Sequence, residues 1–349
     1  MENVAWVQQS GTRVATLTPI PRVPLCCTQA TRKANWRQNM SMMSVQETTT
    51  ALLNVLLNQR RVSELTEKQC SGILCPECTR HPQQKIQQAI TEQRMLTLIL
   101  PAFPAKSSNR QKTLSEKPDR GEIIGLSNLN QLCQTMQEAY PVGVKLIICS
   151  DGRVFNDLVL VNDLHVDVYQ KGIQQIIEDY QLSHLSTFSL DDVYPYHNYQ
   201  IMRESLMIEF GQSLGELKKH IATEQSARYQ FNGIHRFIVE DQLALKPEQT
   251  KNKIRQEAKH IAYEVIRRSN AWSKLLAHYF PQSVRLSIHP QPCGSEKIGI
   301  HFLPVSNRWS TPWHSVLLKN AQGWQLVKRE EAERLGARLN DDHYVLEAC

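Results

Sequence analysis

The sequence predicts an α/β protein: a Rossmann-like, mostly parallel sheet with flanking helices, a helical N-terminal part and short strands near the C-terminus. Two observations carry this reading. Apolar runs at 95–100 and 144–149 each end in a proline or glycine turn, and between them Leu126, Leu129, Leu132, Cys133 and Met136 recur at helical spacing. Strand, helix and strand in that order imply parallel pairing through a right-handed crossover.

Residues 1–43, rich in Thr, Gln, Arg and Pro without periodicity, predict a disordered extension, so the working chain starts near Met43. Residues 44–94 form a helical segment, with Leu52, Leu53, Val55, Leu56 and Leu57 giving a helix from Thr48 to about Leu65 one broad apolar face. An α/β domain follows over 95–340. Its first strand stops near Leu100, because Pro101 and Pro104 cannot donate to a ladder. The next helix stops before Pro141 and Gly143, and the strand Val144 to Cys149 ends at Ser150-Asp151-Gly152. Val166, Val168, Tyr169, Ile173, Ile176 and Ile177 mark another helix, ahead of the apolar Leu185 to Leu190. A helical insertion occupies about 200–282, with Ile201 to Ile221 and Lys253 to Phe280 as its main pieces. Short strands are expected at Val284 to Ile288, Lys297 to Leu303, His314 to Lys319 and Trp324 to Lys328, then a helical Glu330 to Leu335.

Composition narrows the function. With 41% hydrophobic and 21% charged residues in 349, the balance is that of an ordinary globular chain. No apolar run reaches the roughly 18 to 20 residues of a membrane span, and no secretory leader is visible, so a cytoplasmic protein is expected. The net charge of +6 is scattered, which disfavours nucleic acid and suits a small anionic substrate. Neither G-x-G-x-x-G nor G-x-x-x-x-G-K-[ST] occurs, so no nucleotide cofactor is indicated. Nine cysteines, an odd number in a chain of this size, point to reduced thiols. Among them Cys70, Cys75 and Cys78 form C-x4-C-x2-C-x2-H with His81, which suits either a structural zinc or thiols packed where the first helices meet the sheet.

Dense polar chemistry follows three strands. Residues 100–114 read LPAFPAKSSNRQKTL, 145–158 read KLIICSDGRVFNDL and 284–302 read VRLSIHPQPCGSEKIGIHF. In open α/β sheets ligands bind beyond the carboxyl ends of strands, which is where these loops fall.

The blocks LPAFPAKSSNR, IICSDGRVFNDL, RSNAWSKLL, VRLSIHPQ and TPWHSVLL together resemble the isonitrile (isocyanide) synthase family of PvcA type, over roughly residues 70 to 335. That family also has fungal relatives in spore-wall dityrosine synthesis. The resemblance implies transfer of one carbon from ribulose 5-phosphate to the amino nitrogen of L-tyrosine or L-tryptophan. The amine condenses with the C2 ketone, the imine tautomerises, and the bonds flanking C2 break. No metal or redox cofactor is implied, and an iron and 2-oxoglutarate dependent oxygenase is the implied downstream partner.

Such chemistry needs proton transfer and anion clamps, and the matching blocks supply the residue types. Lys106 is the expected catalytic amine, its pKa lowered by other cations or by partial desolvation, and an unfavourable folding effect is not expected from its loss. Arg110 and Lys112 suit the sugar phosphate, with Ser107 and Asn109 as further donors. Asp151 and Asp157 are the expected carboxylates, with Arg153 to fix the substrate carboxylate. His289 is the expected acid or base, faced by Lys297, and His314 is a second candidate. Trp313 or Trp272 would wall the aromatic side chain. Two alternatives stay open: an N-acyl or formyl transferase on aromatic amino acids, which would depend on a one-carbon donor, and a non-catalytic sugar-phosphate or amino-acid binding protein, which would bind without turnover.

Overall fold

The computed structural model describes residues 44–63, 67, 70–195, 198–303 and 310–347. The expected extension at 1–43 lies outside the described residues. The chain begins with α1 (Val45–Asn58), where Ser44 and Glu47 cap each other reciprocally, and α2 (Pro76–Thr91). Then come β1 (Leu96–Pro101), α3 (Arg120–Ala139), β2 (Val144–Cys149), the short α4 (Gly152–Phe155), α5 (Asp163–Asp179) and β3 (Leu185–Phe188). A helical layer follows as α6 (Tyr199–Phe210), α7 (Leu214–Thr223), α8 (Gln225–Leu245) and α9 (Lys251–Tyr279). The expected helix Ile201 to Ile221 is two helices, because Gly211 leaves the helical conformation and Ser213 caps a new start with Glu216.

After the helical layer the chain returns to the sheet as β4 (Val284–Ser287) and β5 (Ile298–Gly299). The main sheet is parallel in the order β3-β2-β1-β4-β5. Its centre is apolar on both faces: Leu98, Ile99 and Leu100 of β1 are fully buried, as expected where helices cover both sides. The strand order reverses between β1 and β4, the switch point at which open α/β sheets hold ligands in a crevice.

A second, mixed sheet is built from β6 (Val316–Asn320), β7 (Gly323–Val327), β8 (Arg338–Asn340) and β9 (His343–Val345), with α10 (Arg329–Arg334) between β7 and β8. Strand β5 is only two residues long, where Lys297 to Leu303 was expected, and a 3-10 turn at Pro312–His314 delays the start of β6 to Val316. Among the described residues no helix is long and apolar enough to cross a membrane.

Candidate active site

The loop after β1 opens on a strained residue. Phe103 has φ 55° although it is bulky and fully buried, a conformation that survives only where its surroundings impose it. Its carbonyl accepts from Ser150 Oγ at 3.1 Å and Gln170 Nε2 at 2.8 Å, which fastens the β1 loop to the end of β2. The fastening is tight enough to require glycine at 152: a Cβ there would lie 2.2 Å from the Pro104 carbonyl oxygen. Gly152 therefore serves close approach of two loops, where the sequence suggested a turn.

Lys106 is buried within this loop. Its Nζ lies 2.7 Å from Asp119 Oδ2, 2.9 Å from Glu122 Oε2 and 2.9 Å from the Pro312 carbonyl oxygen. Tyr169 donates to the other Glu122 oxygen at 2.9 Å. Burial by itself would lower the pKa of Lys106, but Glu122 and Asp119 outweigh it and the net shift is upward. The expected depressed amine is thus corrected: Lys106 is an ammonium clamped by two carboxylates that also cap α3.

The amine moved towards neutrality is Lys297, whose pKa falls to about 8 through burial and then the nearby Arg285. Its Nζ donates to Ser273 Oγ at 3.0 Å, and Arg285 Nη2 donates to the same oxygen at 2.6 Å. His289, just beyond β4, meets open space, yet burial followed by the charges of Arg61 and Lys297 lowers its pKa to about 4. His314 is partly accessible in the same way, and its pKa falls to about 3 through burial and then Lys112, Lys106 and His289. Both imidazoles are therefore neutral at pH 7 and available as proton acceptors.

Asp151 stands just beyond the end of β2. Burial raises its carboxyl pKa to about 7, and among the described residues no cation pairs with it. This is the protonation behaviour expected of a general acid or base near neutrality. Charge coupling links His289 to His314, Lys297 and Arg61, the last a buried cation that the sequence reading missed, while Asp151 stands beyond the end of β2. Arg61 lies in the bridge that joins the end of α1 to β5, where its N–H donates to the Gly299 carbonyl at 2.7 Å. No motif around Arg61 marks it; only the fold brings it beside His289.

Other expected site residues are placed elsewhere. Arg153 is buried among Asp163, Asp167 and Asp191 and packs over the Tyr199 ring at 3.6 Å, so its charge is already matched and it braces the helical layer instead of clamping a carboxylate. Asp157 faces outward and pairs with Arg268 at 2.6 Å. Arg110 is exposed and pairs with Glu116 at 2.7 Å. Lys112 is buried against Asp241 at 2.7 Å, and Asn109 Nδ2 donates to the same carboxylate at 2.9 Å, so these two hold α8 over the β1 loop. Ser107 is likewise structural in its contacts: its N–H donates to the Trp313 carbonyl at 2.9 Å and its Oγ accepts from the Asn109 N–H. Trp313 is core, in a triangle with Phe103 and Phe302 at 5.1 and 5.5 Å, and Trp272 is fully buried against Phe188. His81 stands outside the thiol cluster, whose fourth member is Cys293 from the loop after β4.

The pyoverdine/dityrosine biosynthesis family model matches residues 86–339. The chain belongs to that family. It is 42% identical over 82% of its length to the L-tryptophan isonitrile synthase AmbI2 of Fischerella ambigua, covering 87% of that protein. It is 39% identical over 72% of its length to an L-tyrosine isonitrile synthase of Pseudomonas aeruginosa, covering 80% of it. The crystal structure of PvcA from Pseudomonas aeruginosa superposes with a TM-score of 0.81 at 35% identity, over 86% of this chain and 100% of that one. This family member is an enzyme with an α/β fold, and the resemblance of the sequence blocks is borne out.

Proposed function

We propose that the protein is an isonitrile synthase that converts the amino group of L-tryptophan or L-tyrosine to an isonitrile, with ribulose 5-phosphate as the one-carbon donor. The observation that carries this reading is the 42% identity, across most of both chains, to a tryptophan isonitrile synthase. The chemistry of the crevice supports it. Imine formation at a ketone needs a proton donor for the departing water, and later steps need a base for the carbon-bound proton; Asp151, with its pKa near 7, and neutral His289 meet these needs. Arg61 and Lys297 make the surroundings of His289 cationic, which favours a sugar phosphate and an amino-acid carboxylate. The reading places the reaction in the cytoplasm, with the product passing to an iron and 2-oxoglutarate dependent oxygenase.

Incubation of the purified protein with C2-labelled ribulose 5-phosphate and each amino acid, followed by mass spectrometry and infrared detection of the N≡C stretch, tests the reading. Labelled isonitrile from one amino acid is the expected result. Unchanged substrates with a folded protein would overturn the donor and substrate assignment.

A further inference from the structure

Four cysteines from two distant parts of the sequence converge on one point. The sulfurs of Cys70, Cys75, Cys78 and Cys293 all lie within 4.8 Å of one another. Cys78 and Cys293 are 3.5 Å apart, Cys75 and Cys293 3.6 Å, and Cys70 and Cys78 3.8 Å. A disulfide requires about 2.05 Å. Four thiolates around a tetrahedral zinc with bonds of about 2.3 Å stand about 3.8 Å from each other, close to the three separations given and within the 4.8 Å that bounds all of them. We propose that Cys70, Cys75, Cys78 and Cys293 bind a structural zinc ion.

The surroundings are built for a charged centre. Cys75 sits at the N-cap of α2 and Pro76 opens the first turn, so the partial positive charge of a helix N-terminus lies beside the sulfurs. On the other side Gly294 follows Cys293 with φ 81°, a turn conformation natural to glycine. Arg60 donates through Nη2 to the Gly72 carbonyl at 2.7 Å, while its Nη1 is buried with no hydrogen-bond partner. A zinc with four thiolates carries two negative charges, and Arg60 supplies part of the compensation. All four ligand positions are taken by protein, which defines a closed, non-catalytic centre.

The centre has a mechanical role. Cys293 lies between His289 and Lys297, so the ion would pin the loop that carries both cleft residues to the start of α2. Sequence spacing alone pointed to His81 as fourth ligand, whereas the fold supplies Cys293.

The full chain, purified without chelator from zinc-supplemented medium, is tested by plasma mass spectrometry for metal and by cobalt(II) exchange. About one zinc per chain is expected, and the cobalt form shows intense visible bands with thiolate-to-cobalt charge transfer. Cys293→Ser loses the metal and melts lower by about 5 °C or more, whereas His81→Ala keeps both metal and melting temperature. If Cys293→Ser does not fold, the metal content and cobalt spectrum of the parent decide alone. Less than about a tenth of an equivalent of zinc with no cobalt spectrum, or an intact mass showing disulfides among these residues, overturns the proposal, as does loss of zinc in His81→Ala with retention in Cys293→Ser.

Discussion

Lys106 Nζ lies 2.7 Å from Oδ2 of Asp119, the residue that caps the helix into which the lysine's own loop runs. The pair fastens the end of β1 to the start of α3 and, through Glu122, to Tyr169 on α5. Removing the ammonium leaves two buried carboxylates without their cation. Lys106→Ala is therefore expected to cost about 3–5 kcal/mol. The melting temperature should drop by roughly 10 °C. A melting curve within a degree or two of the parent would show that the clamp is dispensable, and the sequence expectation of an unaltered fold would stand.

Asp151 and Asp157 separate by environment. Asp151→Asn should lower kcat/KM by about 10²-fold or more and remove an ionisation near pH 7 from its pH profile. Asp157→Asn, which loses only partly exposed ion pairs with Arg268 and Arg203, should stay within tenfold of the parent. The same carboxyl affects stability. Its folded pKa is raised from 3.8 to about 7, so its ionisation penalises the fold progressively as pH rises through that window. Asp151→Asn should gain in melting temperature over the parent between pH 4 and pH 8; an equal or lower value at pH 8 would contradict a desolvated carboxyl.

His289 and His314 set the acid limit. Their folded pKa values fall from 6.5 to about 4 and about 3, so below pH 6.5 the unfolded chain takes up protons that the folded one refuses. Stability is lost as pH falls from 6.5 through 4. His314→Asn should flatten this limb in melts taken at pH 7, 6, 5 and 4, and an unchanged slope would place its ring in water. His289→Ala should also lower kcat by about 10²-fold or more while the protein remains folded.

Gly152→Ala tests the contact between the two loops. The new methyl would meet the Pro104 carbonyl oxygen at 2.2 Å, and that backbone is held by Phe103 and Gln170. A destabilisation of about 1–3 kcal/mol with loss of activity is expected from chemical denaturation and turnover assays. Parent-like values for both would mean the loops part easily.

The strands and the polar loops beyond them were legible because apolar runs of β-branched residues ending in Pro or Ser-Asp-Gly are local signals. The same locality hid the partners. Capping patterns mark Asp119 and Glu122 as the start of a helix, but nothing nearby says that Lys106 lies between them. Asp241 reaches Lys112 from a helix more than a hundred residues downstream, and Cys293 reaches Cys78 across a separation of 215 residues. Arg153 illustrates the converse: a cation in a matched block looked available, and three acidic residues from two later elements had already claimed it.

Strand β1 takes β4 as a neighbour only after the entire helical layer has been made, through Leu98 against Val284 and Ile99 against Arg285. Closing so long a loop costs entropy before any contact repays it, so this pairing belongs to the late stages of folding. During synthesis the chain accordingly spends the whole translation of α6 to α9 with one side of β1 unpaired, an aggregation-prone edge of Leu98 and Ile99. His289, just beyond β4, reaches its place beside Arg61 and Lys297 only when that edge is finally covered.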